Sequence, residues 1–158
     1  MPGGICAGYK AKTVSILRGG TATGELMGGN LTILCALLGT PWQPSFRRKI
    51  LCFEEINEAP YRVDRMLTQL LNAGLLQQLA GIAIGQCAGC EDRTARRGGE
   101  FRQTLADVFR ERLLPLKIPV VAGLPFGHVA ANATLPLGVR AVLDGGAGDL
   151  VLPTAAVR

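Results

Sequence analysis

The sequence of 158 residues is poor in histidine, serine and aromatic side chains, and each shortage limits what the chain can do. Its one histidine is His128, and neither Ser15 nor Ser45 lies in the glycine-flanked turn that exposes a catalytic hydroxyl. No apolar run approaches the ~18 residues of a membrane helix, and no signal-peptide pattern opens the chain. We therefore expect a cytoplasmic protein with no membrane partner.

Charge is also sparse, at 18% of residues with a net charge of +5, whereas 48% of residues are hydrophobic. The densest basic cluster, Arg93, Arg96 and Arg97 beside Gly98 and Gly99, has no interleaved aromatic residues. It is typical of a solvated loop, with a phosphate-binding patch as the alternative. We expect one globular domain over 1–158, large enough to bury a core without a cofactor, metal or disulfide, and no nucleic-acid partner.

The five cysteines are an odd number, which does not suit a framework of paired disulfides. Cys35 and Cys52 lie in apolar runs, which favours reduced thiols in a reducing compartment. Cys87 and Cys90 have the spacing of a redox couple or of half a zinc site, but there is no second such pair. Structural thiols are the favoured interpretation, and a thiol oxidoreductase remains an alternative.

What the sequence does contain is a strand, an acidic corner and a helix in succession over residues 49–74. The continuous apolar run 50–53 predicts a strand buried on both faces. Asn57 is a candidate helix cap, Pro60 fits the first turn, and Gly74 is a natural end. The helix between them has one apolar stripe, formed by Val63, Met66, Leu67, Leu70, Leu71 and Leu75.

Further buried strands at 81–85 and 118–122, with a helix at 100–114, complete a parallel β-α-β-α-β core. Short antiparallel strands are expected at both ends of the chain: 13–17 pairing with 25–27, and a ribbon over 134–152. The fold class is therefore α/β, a small three-layer-like domain.

The segment between residues 28 and 48 carries two smaller predictions. Gly28, Gly29 and Asn30 form a turn that caps a buried helix over 31–38, and its backbone N–H groups could receive an anion such as a carboxylate. A tight turn with a capping asparagine is the favoured interpretation. Trp42, in a proline-containing loop, is expected to be a lid over the core, with the wall of a binding cleft as the alternative.

Glu54 and His128 are the candidate catalytic residues, because each follows a strand of the parallel core and leaves the sheet at the same edge. A carboxylate bound to one imidazole nitrogen fixes the tautomer and leaves the other nitrogen free to take a proton from a nucleophile. The pair therefore predicts two members of a catalytic triad that lacks its nucleophile.

The order and spacing of several motifs resemble the C-terminal domain of the LD-carboxypeptidase family of serine peptidases, which also includes the microcin C self-immunity peptidases. The resemblance rests on residues 24–31, 38–40, 50–58, 61–65, 70–74, 81–85, 119–121, 123–128 and 135–138. It implies a metal-free Ser-Glu-His triad with Glu54 and His128 as two members, and the serine in a separate N-terminal domain. Glu55 stands where the family commonly has aspartate.

The resemblance further implies a cytoplasmic homodimer that releases terminal D-alanine from murein tetrapeptides by cleaving an L–D bond in cell-wall recycling. Because no nucleophile region precedes Gly24, we expect the fragment of a complete enzyme, inactive alone. The alternative is a non-catalytic module that binds peptides or dimerises through the sheet edge and the turn at residues 28–30. Arg62, Asp64 and Arg65 are expected to form ordinary ion pairs, with recognition of a substrate carboxylate as the alternative.

Overall fold

One mixed sheet organises the chain, in a computed structural model that describes residues 7–9, 14–91 and 103–154. Its strands are β1 (Ala7–Tyr9), β2 (Ser15–Arg18), β3 (Thr21–Asn30), β4 (Ile50–Ile56), β5 (Gly81–Ala88), β6 (Val120–Ala122), β7 (Arg140–Asp144) and β8 (Asp149–Leu152). The helices are α1 (Leu31–Ala36), α2 (Pro60–Asn72) and α3 (Leu105–Leu113), with 3-10 turns at Leu76–Gln78 and Leu114–Leu116. No helix in these ranges is long and apolar enough to cross a membrane.

The strands lie in the order β1-β8-β7-β3-β4-β5-β6-β2. The four strands from β3 to β6 are parallel, and α1, α2 and α3 connect them in turn. The predicted α/β class is confirmed, with a parallel core and antiparallel strands at both ends. The core is one strand larger than predicted, because β3 joins it.

The predicted pairing of residues 25–27 with the first strand is wrong. β3 lies between β7 and β4, whereas β2 pairs with β6 at the far edge of the sheet. The physical reason is burial: β3 carries the buried Leu26 and Met27, which need cover on both faces, and β2 is largely exposed.

Two hydrophobic cores lie on the two faces of the sheet, because successive residues of a strand point to opposite sides. In β4, Leu51 and Phe53 join the core that packs against the three helices, and Ile50 and Cys52 join the other. The second core contains no residue of α1, α2 or α3. It is covered by β7, β8 and the segment after β6, which contributes Leu124, Phe126 and Leu135.

The two ends of α2 match the helix boundaries predicted from the sequence in part. Pro60 is its first residue, and Gly74, at φ +68°, follows its end as predicted. Asn57 is not the cap: Ala59 holds that position without a side-chain hydrogen bond. Asn57 instead adopts φ +57°, and its backbone N–H donates to Ala88 O at 2.8 Å, which ties the end of β4 to β5.

The helix α1 is capped by Asn30 as predicted, since Ile33 N donates to Asn30 Oδ1 at 3.2 Å. It ends at Ala36 and is not fully buried, because Ile33 is 59% exposed. Trp42 is 80% exposed and does not cover the core, so the predicted lid is wrong. Phe46, only 1% exposed, packs into the core from the same loop.

The third helix is shorter than the predicted 100–114, since it begins at Leu105 and ends at Leu113. Residues 100–102 of the predicted range lie outside the described ranges. The helix begins with a capping box in which the Thr104 hydroxyl and the Asp107 carboxylate each bind the other residue's backbone N–H. Cys6 and the arginine cluster of the predicted loop also lie outside the described ranges.

Candidate functional site

Glu54 and His128 are in direct contact. The distance from His128 Nδ1 to Glu54 Oε2 is 2.7 Å, and the His128 backbone N–H donates to the same oxygen at 3.3 Å. The Glu54 side chain is 9% exposed, while the imidazole is 52% exposed. The predicted proximity of the two side chains is confirmed, and their catalytic role stays a prediction.

A glycine allows this contact. Gly127 has φ +122°, and a Cβ there would lie 3.1 Å from both Cβ and Oε2 of Glu54 and 2.9 Å from Gln86 O. A side chain at this position would push the histidine loop away from β4. The Gly127 N–H donates to Asn132 Oδ1 at 3.0 Å, which closes the loop across its base.

The histidine loop, residues 123–139, contains no helix or strand and is held by β5. Gln86 donates from its backbone N–H to Phe126 O at 2.8 Å and from its side chain to Gly123 O at 2.7 Å. At Gly85 a Cβ would lie 2.4 Å from Phe126 O, so only glycine permits this approach. Neither Gln86 nor Asn132 was predicted from the sequence as a support of this loop. The signal available was the glycine at each contact, Gly85 and Gly127.

The electrostatics of the pair favour a charged imidazole. The hydrogen bond to Glu54 is the main cause that raises the pKa of His128 above its ordinary value of 6.5, and the negative charges of Glu54 and Glu55 add to it. An ionised carboxylate can only accept, so the proton of the neutral imidazole resides on Nδ1. Nε2 is then the nitrogen that can take a proton from a reacting group.

Glu55, the next residue, lies on the opposite face of the sheet and is 2% exposed. Its carboxylate accepts from Asn30 Nδ2, Thr32 N and Thr32 Oγ1, each at 2.8 Å, and from Ile56 N at 2.9 Å. It therefore anchors the start of α1. The predicted turn at residues 28–30 is wrong, because these residues form the end of β3. The anion at the start of α1 is a carboxylate of the chain itself, bound by Thr32 N and the side chains of Asn30 and Thr32.

A cleft of about 330 Å³ lies beside the pair. Apolar side chains line most of it, including Phe126, Leu135 and Leu137. Cys52 also lines it, but burial raises the pKa of this thiol to about 12, so it is a poor nucleophile. Neither serine of the sequence is among the lining residues.

Cys87 and Cys90 do not form a helix-start redox motif, because Cys87 lies inside β5. A hydrogen bond between the two thiols and burial raise the pKa of Cys87, and the same bond lowers the pKa of Cys90. In the described ranges no three histidine, cysteine or acidic side chains are grouped so that they could hold a metal ion. No disulfide joins Cys87 and Cys90, and their role stays a prediction.

The charged side chains of α2 form the ion pairs expected of them in two cases. Asp64 accepts two hydrogen bonds from Arg112, one of them 3.1 Å from Nη2 to Oδ2, which joins α2 to α3. Arg62 pairs with Glu58 at 3.3 Å. Neither Arg62 nor Asp64 lines the cleft beside His128.

A parallel α/β sheet with an acid–histidine pair beside an apolar cleft is an arrangement typical of hydrolases that use a catalytic triad. Residues 23–143 match the family model described as the LD-carboxypeptidase C-terminal domain. The chain therefore belongs to the LD-carboxypeptidase family and corresponds to its C-terminal domain.

Three relatives illustrate the match. A putative carboxypeptidase of Synechocystis sp. is 50% identical over 131 residues, covering 83% of this chain and 42% of the relative. The murein tetrapeptide carboxypeptidase of Pseudomonas aeruginosa is 35% identical over 123 residues, or 77% of this chain and 38% of the relative. The crystal structure of muramoyltetrapeptide carboxypeptidase from Oxalobacter formigenes superposes with a TM-score of 0.75 at 35% identity, covering 93% of this chain and 48% of that one. The chain thus spans less than half the length of these relatives.

Proposed function

We propose that this chain is the glutamate- and histidine-bearing half of a serine LD-carboxypeptidase, with Glu54 and His128 as catalytic residues. The observation that carries the proposal is the 2.7 Å contact between a nearly buried carboxylate and a half-exposed imidazole. The carboxylate fixes the ring and the proton on Nδ1, while the exposure of the ring keeps it within reach of a substrate in the cleft.

In the proposed reaction a serine hydroxyl attacks the carbonyl carbon of the scissile peptide bond. His128 Nε2 takes the hydroxyl proton, and Glu54 stabilises the resulting imidazolium through Nδ1–H. As the C–N bond breaks, the imidazolium gives that proton to the departing amine, and an acyl-serine ester remains. Water then attacks the ester with the same histidine as base, which releases the carboxylic acid and restores the serine.

The serine must come from outside the 158 residues, since neither Ser15 nor Ser45 lines the cleft. We propose that it belongs to an N-terminal domain, in agreement with the longer relatives, and that this chain alone is inactive. The complete enzyme is proposed to work as a homodimer in the cytoplasm.

The proposed substrate is the murein tetrapeptide, with cleavage of its L–D bond and release of D-alanine in peptidoglycan recycling. Support comes from the names of the Pseudomonas and Oxalobacter relatives, each 35% identical to this chain. The activity needs no metal, because the triad supplies both the nucleophile and the proton transfers.

The decisive experiment joins this chain to the N-terminal segment of the Synechocystis relative and measures D-alanine release from murein tetrapeptide. We expect release by the fusion, none by the chain alone, and near-complete loss in the fusion with His128→Ala. A fusion in which His128→Ala leaves the rate unchanged but peptide still binds would contradict the triad and favour a non-catalytic peptide-binding module.

A further inference from the structure

A second cleft lies at the end of the sheet opposite to the Glu54–His128 pair. It has a volume of about 450 Å³ and lies beside the start of β4, where Arg47, Arg48 and Lys49 line it. The two clefts come closer at Leu137 and Gly138, which line one cleft each. Because a strand rises ~3.3 Å per residue, however, the five residues from Lys49 to Glu54 place these two residues roughly 16 Å apart. This second cleft, here called the basic cleft, therefore takes no part in the proton transfers proposed above.

Positive charge dominates the basic cleft. Its lining contains four cationic side chains, those of Arg47, Arg48, Lys49 and Arg140, against the single carboxylate of Glu25. Lys49 Nζ donates to Glu25 Oε2 at 2.7 Å, and Arg140 lies directly opposite Glu25 in the pairing of β3 with β7. In the part of the chain that the structure describes, the three arginines have no carboxylate partner. The cleft thus has a formal excess of three positive charges.

The backbone that gathers these cations is in an unusual conformation. Arg48 has φ +55°, in the left-handed region that residues with a side chain seldom adopt. This conformation interrupts the alternation of an extended chain, so that three consecutive residues line one cleft. Arg48 N donates to Gln78 O at 2.8 Å, and Arg48 O lies 2.6 Å from the position of a Cβ at Gly24. The segment is therefore held in place on two sides.

We infer that the basic cleft binds a small molecule through its phosphate or diphosphate group. Like charges that line one cleft repel one another, and a multiply charged anion between them removes that cost. Guanidinium groups match the paired oxygens of a phosphate with two parallel hydrogen bonds. The volume also lies in the range of small-molecule sites, which leaves room for the rest of a phosphorylated ligand.

The test is a titration of the 15N-labelled chain with inorganic pyrophosphate, inorganic phosphate and citrate, followed by amide chemical shifts at 150 mM salt. We expect pyrophosphate to bind more tightly than phosphate and to shift the amides of residues 23–25, 47–49 and 138–140. Citrate tests whether the cleft binds a multiply charged carboxylate instead of a phosphate group. Citrate binding tighter than pyrophosphate binding, or shifts confined to other residues, would overturn the phosphate assignment.

Two double variants with the same loss of charge separate a built site from general attraction. Arg47→Gln with Arg140→Gln should weaken pyrophosphate binding by about tenfold or more, since hydrogen bonds to charged groups are lost. Arg62→Gln with Arg110→Gln removes two exposed cations outside the cleft. This pair should change the affinity for pyrophosphate by less than about twofold, because salt screens distant charges. Equal weakening by both pairs would refute the proposal. Neither pair touches Glu54 or His128, so the result is independent of the proposed peptidase function.

Discussion

Glu54 and Glu55 are neighbours in one strand, yet they lie in opposite surroundings. On one face, Glu54 meets a half-exposed imidazole at the edge of an open cleft. On the other, all the donors around Glu55 belong to the chain itself, and the carboxylate is 2% exposed. The face of the sheet therefore determines the role that is open to a carboxylate at the end of a strand. On one face it can act on a reacting group, and on the other its oxygens are occupied by hydrogen bonds that stabilise the fold.

The largest effect should come from Glu54→Gln in the complete enzyme. A glutamine at this position can donate to Nδ1 and so stabilise the wrong tautomer, and we expect kcat to fall by about 10³–10⁴-fold. Steady-state D-alanine release measures this change. If Glu55→Gln lowered kcat equally while the protein stayed folded, the division of roles between the two carboxylates would be wrong.

Glu55→Ala should instead destabilise the fold. It leaves the donors of Asn30 and Thr32 without their acceptor at the start of α1, at a cost of about 3 kcal/mol in the free energy of unfolding. Urea unfolding of the isolated chain, followed by circular dichroism, measures the cost. Glu54→Gln is the matched control and should change stability by less than about 1 kcal/mol.

Gly127→Ala tests the close packing of the histidine loop against Glu54. The new methyl group meets Gln86 O at 2.9 Å and Glu54 at 3.1 Å in a left-handed conformation, and we expect a loss of about 2 kcal/mol of stability together with a displaced imidazole. Gly138→Ala is the control, because φ is +83° there and no atom lies within 4 Å of the added Cβ. Equal unfolding free energies for the two variants would show that the contact with Glu54 contributes nothing.

The smallest effect is a shift in titration. His128 should titrate above pH 6.5, and Glu54→Gln should move its pKa back towards that value, because the hydrogen bond to the carboxylate is lost. The bond therefore stabilises the fold fully below pH 6.5, and this contribution disappears as the pH rises through the raised pKa. Proton NMR resolves the change without ambiguity, since the sequence has one histidine. An unshifted pKa in the native chain would contradict the contact.

The sequence predicted the Glu54–His128 contact because topology alone brings the ends of parallel strands to one edge. It did not predict the position of β3, since Gly24, Gly28 and Gly29 suggest turns. In the fold two of these glycines permit close packing: a Cβ at Gly28 would lie 1.7 Å from Cys52 O, and one at Gly24 lies 2.6 Å from Arg48 O. The need for glycine at these positions comes from the backbone of the neighbouring segment, so it produces no periodic pattern in the sequence of β3 itself.

The roles of Trp42 and Phe46 could not be separated from the sequence either. Both are aromatic residues in one proline-containing loop, and which of them enters the core depends on the path of the loop over α1 and β4. The supports of the histidine loop were missed for a similar reason, because Gln86 and Asn132 bond to backbone atoms that become neighbours only in the folded chain.

The histidine loop has an anchored part and an unanchored tip. β5 holds the anchored part at Gly123 and Phe126, and the bond from Gly127 to Asn132 closes it, so the exposed Ala130 and Ala131 bear none of the anchoring. An insertion between Ala130 and Ala131 is accordingly expected to leave the contact of His128 with Glu54 in place.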